Sequence, residues 1–202
     1  MRFVAVAFIV LLAACCASVP DMAERTRGEA LRLDIGQGVC TAAAVGPATI
    51  LTAAHCIDGA KAGVMAINGK TAGFAVLADD GHDHVLLRVT ARLEHWASIR
   101  PVPTPGSTVY LWGNPAGLEG VLRVGRIAGD IDLDNCTGLP PGPCSMLLLD
   151  LNATFGDSGA PIFDTRGRIV AMQSGSLTFR GWAMAYAYRF HFTSEQLAAA
   201  RM

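Results

Sequence analysis

Gly156-Asp157-Ser158-Gly159-Ala160-Pro161 is the segment on which the reading of this chain turns. Glycines on both sides of Ser158 allow a tight turn that exposes its hydroxyl and lets a substrate backbone approach. The same turn can aim two backbone N–H groups, those of Gly156 and Ser158, at one point. That arrangement stabilises a developing oxyanion, and each such donor is typically worth about 3–4 kcal/mol. A serine hydroxyl alone is a poor nucleophile. It needs a base within hydrogen-bond reach, and the base needs an orienting carboxylate.

Upstream, Ile50-Leu51-Thr52-Ala53-Ala54-His55-Cys56 is an apolar strand ending in a histidine. His55 is the natural base. The carboxylate is assigned to Asp83 in Asp83-His84-Val85-Leu86-Leu87-Arg88-Val89, in preference to its neighbours Asp79 and Asp80. An aspartate just before a buried strand can be held in a low-dielectric site, where it fixes the histidine tautomer and stabilises the imidazolium. The chain order His, Asp, Ser is that of chymotrypsin and differs from subtilisin and the α/β-hydrolases. His82 and His84 flank Asp83, and with Asp79 and Asp80 they offer a metal loop as an alternative. The expectation is that they are exposed loop residues and that no metal or other cofactor is needed.

Short apolar runs punctuated by Gly, Pro, Asn and Asp begin at about Leu31. Strands are expected over 31–35, 38–45, 48–53, 62–68, 72–78, 84–90, 107–112, 119–128, 145–151, 160–164, 167–174 and 182–190. Gly46-Pro47, Asn68-Gly69, Asp80-Gly81 and Arg166-Gly167 supply turns between them. Evenly spaced short strands indicate an all-β sandwich or barrel. The tail is the exception. Thr193 or Ser194 can cap a short C-terminal helix, with Glu195 in its first turn. Trp96, Trp112 and Trp182 are expected in the core or the cleft wall.

Thr52-Ala-Ala-His55-Cys56, Asp83-x-x-Leu86-Leu87 and Gly156-Asp-Ser158-Gly resemble the signature segments of trypsin-like serine proteases. Gly113-Asn114-Pro115-x-Gly117 and Pro161-Ile-Phe-Asp-x-x-Gly167-x-Ile169-Val170 are closer to the bacterial Deg/HtrA branch. The resemblance runs from about residue 31 to 190. It implies a double six-stranded antiparallel β-barrel, with barrels over 31–100 and 101–202 and the site in the cleft between them. It also implies that Asn152, six residues before Ser158, lies near the bottom of the primary specificity pocket. Ser174-Gly175-Ser176 is expected to form the strand edge on which a substrate lies. A pocket for small or medium uncharged side chains follows.

The chain departs from both relatives. The Deg/HtrA branch usually carries a C-terminal PDZ domain, for which the chain beyond Ser158 is too short. It also lacks the Ile-Val-Gly-Gly start with which trypsins switch on after propeptide cleavage. Asp157, which meets that new N-terminus in trypsins, is nevertheless present. It is expected to find an internal arginine or backbone donors instead.

Arg2 followed by the apolar run Phe3–Leu12 is too short to span a bilayer and reads as a signal peptide over 1–14. Leu12-Ala13-Ala14-Cys15 resembles the bacterial lipobox, with cleavage before Cys15 and acylation of its thiol. An ordinary signal peptide is the alternative. Residues 15–30 are expected to form an irregular tether. Four further cysteines, Cys40, Cys56, Cys136 and Cys144, allow three pairings in an exported chain. Cys40–Cys56 and Cys136–Cys144 are expected, each closing a short loop, and Cys40–Cys56 resembles the family's disulfide beside the histidine. Zinc is the competing reading, but no Cys-x-x-Cys spacing occurs.

The 51% apolar and 16% charged composition suits a packed domain. A net charge of −1, without a Lys/Arg run, argues against nucleic-acid binding. The expected protein is an exported serine endopeptidase, monomeric, periplasmic or held at a membrane through Cys15, acting on protein or peptide substrates. The competing functions are a silent or partner-activated binding protein on the same fold and an esterase.

Overall fold

The structure is a computed structural model, and it describes residues 19–36, 38–136, 139, 142–179 and 182–202. The expected signal peptide and Cys15 lie outside the described residues. Chain order is α1 (Val19–Arg27), β1 (Ala30–Ile35), β2 (Gly38–Gly46), β3 (Thr49–Ala53), β4 (Ala62–Ile67), β5 (Lys70–Asp79) and β6 (His84–Val89). There follow β7 (Thr108–Gly113), β8 (Val121–Leu133), β9 (Cys144–Leu149), β10 (Pro161–Phe163), β11 (Ile169–Met172), β12 (Gly175–Phe179), β13 (Trp182–Tyr188) and α2 (Ser194–Ala199).

The first six strands close into an antiparallel barrel in the order β1-β2-β3-β6-β5-β4. Its turn chemistry is local. Asn68 and Gly69 both have positive φ, 48° and 74°, as a two-residue turn between β4 and β5 requires. The second half is a seven-stranded sheet in the order β11-β10-β7-β8-β9-β13-β12. It holds one strand more than expected, because Gly175–Phe179 pairs along β13 and ends the sheet.

Strand alternation explains why the motif strands are apolar throughout. In β3, Ile50 points into the first barrel, while Leu51 and Ala53 point toward the second half. In β6, Val85 and Leu87 enter the barrel and Leu86 faces the other way. β7 sends Val109 and Leu111 into the second core, and Tyr110 and Trp112 into the shared layer. Truncating such a fully buried leucine typically costs about 2–5 kcal/mol. The strands that carry His55 and Asp83 are thereby anchored on both faces.

Within the span 15–30 expected as an irregular tether, the described residues are ordered. Val19–Arg27 form a helix, with Asp21 in its first turn and Arg25 and Arg27 in its last, complementing the helix dipole. Met22 and Thr26 are buried, and Trp112 Nε1 donates to Thr26 Oγ1 at 3.0 Å. At the other end, Thr193 caps α2 through a reciprocal pair with Gln196. Arg88 of the first barrel donates to the Ala199 carbonyl at 2.9 Å, tying the C-terminal helix back across the molecule. Trp112 is buried as expected, but Trp96 is 46% exposed, and the Trp182 side chain is outside the described set. Both expected disulfides are present, Cys40–Cys56 and Cys136–Cys144. No helix among the described residues is long and apolar enough to cross a membrane.

Candidate active site

His55 sits on a single 3-10 turn, Ala54–Ile57, directly after β3. Asp83 precedes β6, the strand beside β3, so the barrel register alone brings them together. Asp83 adopts φ 65°, a left-handed conformation uncommon outside glycine, in which asparagine and aspartate are enriched. Its carbonyl accepts from the Ala54 N–H at 3.0 Å. Its Oδ1 accepts from the His55 backbone N–H at 3.1 Å. The His55 Nδ1 lies 2.9 and 3.0 Å from the two carboxylate oxygens. Nδ1 is thus the protonated nitrogen beside the carboxylate, and Nε2 makes no hydrogen bond among the described residues. The Asp83 hydrogen bond raises the His55 pKa above the ordinary histidine value, against the opposing effect of burial.

The loop that presents Asp83 is organised by Asp80, whose side chain is buried. Asp80 Oδ1 accepts from the His82 and His84 N–H groups at 2.8 and 3.3 Å. Oδ2 lies 2.7 Å from His84 Nδ1 and accepts from the His191 N–H at 3.0 Å. Burial opposes ionisation of Asp80, yet the His84 ring and these N–H groups outweigh it and hold the carboxyl below its ordinary range. His84 was expected on an exposed loop; its side chain is fully buried, and His82 is half-buried, stacked on His191 at 3.9 Å. These hydrogen bonds make the segment a brace for the Asp83 loop.

Ser158 lies in the turn between β9 and β10. Gly156 (φ 93°) and Gly159 (φ 83°) are required twice over, by conformation and by space. A Cβ on Gly156 would meet the Asn114 carbonyl oxygen at 2.1 Å, and one on Gly159 the Thr41 carbonyl oxygen at 2.1 Å. The Phe155 carbonyl accepts from the Ala116 N–H at 2.6 Å. Because the peptide is trans, the Gly156 N–H points away from that bond. Neither the Gly156 nor the Ser158 N–H donates to any acceptor among the described residues. His55 and Ser158 line one groove of about 570 Å³, and among the described residues no hydrogen bond joins them.

Behind this turn two buried side chains hold it, and the internal arginine expected for Asp157 is Arg123. Thr41, fully buried, donates from Oγ1 to the Gly156 carbonyl at 2.7 Å and accepts from Asn114 Nδ2 at 2.9 Å. The fully buried Asp157 accepts from Arg123 at 2.6 and 2.5 Å and from the Thr154 N–H at 2.9 Å. Gly113 leaves room for that pair, since a Cβ there would lie 2.2 Å from Asp157 Oδ1.

A second arm of the cleft, about 240 Å³, is lined by Thr154, Phe155, Ser158 and the run Gln173–Ser176. Ser174, Gly175 and Ser176 are where expected, and β12 is an edge strand with one side unpaired in the sheet. Asn152 is not in this lining. It is exposed, and its carbonyl accepts from Arg123 at 3.0 Å. Gln173, missed from the sequence, is in the lining, buried with its Nε2 on the Gly175 carbonyl at 2.5 Å.

The sequence model of the trypsin-like peptidase domain matches residues 36–172. No curated protein matches the chain. Among solved structures, the chain is similar to an inactive form of the Mycobacterium tuberculosis H37Rv protein Rv3671c carrying a serine-to-alanine mutation. The TM-score is 0.72 at 19% identity, covering 89% of each chain. The active form of the Rv3671c protease gives 0.70 at 21% identity, covering 88% of this chain and 82% of that one. The HtrA-type protease AlgW, in a variant solved with a tripeptide, gives 0.66 at 17% identity, covering 86% and 60%. At these identities the likeness is one of fold.

Proposed function

The chain belongs to the trypsin-like peptidase domain family, and from that premise we propose that it is a serine endopeptidase acting through His55, Asp83 and Ser158. The observation that carries this reading is the His55 Nδ1 contact with both Asp83 oxygens, in the same groove as Ser158. His55 Nε2 takes the proton of Ser158 as Oγ attacks the substrate carbonyl. The Gly156 and Ser158 N–H groups receive the oxyanion. His55 then returns the proton to the leaving amine, and water repeats the sequence on the acyl-enzyme. Ser174, Gly175 and Ser176 supply a free strand edge for the substrate main chain.

The unformed His55–Ser158 hydrogen bond favours one second reading, in which a partner or substrate completes the site. Such bonds are often long in ligand-free enzymes and tighten on binding.

Treatment of the exported chain with a fluorophosphonate tests the proposal. One label on the wild type and none on Ser158→Ala supports an activated serine. No label on a folded wild type, with both disulfides intact, sinks the endopeptidase reading in favour of partner activation or binding. The disulfides suit a periplasmic or extracellular setting. Acylation of Cys15 is part of the proposal, and loss of palmitate labelling in Cys15→Ser tests it.

A further inference from the structure

The cleft has two arms that meet at Ser158 and at Phe155, which lines both. The smaller is bounded by the Gln173–Ser176 run. The larger contains His55, and is walled by Val39, the Cys40–Cys56 disulfide, Ala116 and Phe155. Chemistry assigns a part of the substrate to each. When the tetrahedral intermediate collapses, the C–N bond breaks and the acyl carbon stays on Ser158 Oγ. The amine departs with the proton held by His55 Nε2. The leaving segment must therefore lie on the His55 side. The larger arm takes the residues that follow the scissile bond, an assignment that rests on the protease reading above.

The walls of that arm state what it accepts. His55 is the one ionisable side chain among those lining it, the cysteines being paired. The Phe155 side chain belongs to a residue that is 91% exposed, an aromatic ring without cover at the lip of the groove. The main chain at Phe155 is fixed, because its carbonyl is held by Ala116 and the next residue, Gly156, packs against Asn114. A charged residue entering here would lose water without gaining a counter-ion. An apolar one would shield the ring, Val39 and the disulfide from water.

We propose that the larger arm selects a bulky apolar residue immediately after the scissile bond, with Phe155 and Val39 as the specificity-determining side chains. The occupant is the leaving segment of the substrate polypeptide.

The test is a digest of a proteome-derived peptide library by the full exported chain, with cleavage sites mapped by mass spectrometry. Leu, Ile, Met and Phe are enriched directly after the cleaved bond, and Asp and Lys are depleted. On one cleaved peptide, replacing the apolar residue at that position by Ser lowers kcat/KM by about tenfold or more, the usual scale for an apolar pocket. Phe155→Ser brings the Leu-to-Ser ratio toward one. Both peptides meet the same enzyme, so the ratio is unaffected by the folded fraction of the variant. A flat profile after the cleaved bond, or a ratio unchanged in both Phe155→Ser and Val39→Ser, overturns the inference. Fluorophosphonate labelling separates the failures. A labelled Ser158 with a flat profile sinks the selectivity alone, whereas an unlabelled Ser158 sinks the protease reading and the inference with it.

Discussion

Asp157 and Arg123 meet through two hydrogen bonds of 2.6 and 2.5 Å, with the Asp157 side chain fully buried and Arg123 19% exposed. In the trypsins that this chain resembles, the corresponding aspartate is met by a chain terminus freed on activation. Here an arginine on β8 supplies the cation from within the fold, so the turn carrying Ser158 is braced without cleavage. The unprocessed exported chain accordingly takes a fluorophosphonate label, and intact mass reads both the label and the uncut chain. Arg123→Leu leaves a buried carboxylate without its partner, which typically costs about 3–5 kcal/mol. Urea denaturation measures that loss, and labelling of Ser158 slows with it.

On the proposed mechanism, the His55–Asp83 pair sets the acid limb of activity. His55 must be neutral to accept the Ser158 proton, and Asp83 raises its pKa above 6.5. The limb of kcat/KM therefore lies above the ordinary histidine value. In Asp83→Asn it moves down, and kcat falls by about 10⁴, as loss of tautomer control does in comparable triads. Stability has the opposite sense. A folded pKa that is raised contributes below the unfolded value and is lost as pH climbs through the folded one. A pH–rate profile of both proteins decides the matter, and an unmoved limb would falsify the pairing.

Cys40–Cys56 spans 16 residues and joins β2 to the turn that carries His55. Loops of that size correspond to about 3 kcal/mol in the chain-entropy account. The double Cys40→Ser, Cys56→Ser variant loses stability on that scale by chemical denaturation. Its fluorophosphonate labelling also slows more than that of the Cys136→Ser, Cys144→Ser variant, neither cysteine of which lines the groove. Equal slowing in the two variants contradicts this.

Glu29 follows α1, and burial raises its pKa to about 7, with Arg25 opposing. Its Oε2 is buried without a partner among the described residues. A carboxyl whose folded pKa is raised above the unfolded 4.5 favours the folded state at low pH. That contribution is lost as pH rises from 4.5 to about 7. Glu29→Gln therefore raises the melting temperature at about pH 8 and leaves it nearly unchanged at about pH 4, where both forms are neutral. Thermal melts across that range are the check.

Much of this molecule is legible in one dimension because its signals are local. All twelve expected strands are present within a few residues, since turn residues such as Asn68-Gly69 and apolar runs such as Val85–Leu87 act on their own neighbours. The chosen aspartate faces His55 because β3 and β6 are paired and both motifs sit at the same end of that pair. β12 went unseen because Gly175-Ser176-Leu177-Thr178 has little apolar content and owes its strand form to pairing with β13. Helix α1 is nine residues long with few apolar positions, and it is held by Met22 and the Thr26–Trp112 bond.

The amino-acid order by itself determined the strand pattern, the sequence of His55, Asp83 and Ser158, and the two glycines of the turn that carries Ser158. Each depends on backbone preferences or residue chemistry that act over a few positions. The partner of Asp157, the Thr41 contact on the Gly156 carbonyl, the Ala116 contact on the Phe155 carbonyl, and the division of the cleft into two arms were decided by the packed fold. Those contacts join residues separated by between 34 and 115 positions. Arg123 and Thr41 carry no local mark of the role, because the role exists only once both halves of the molecule close on the same turn.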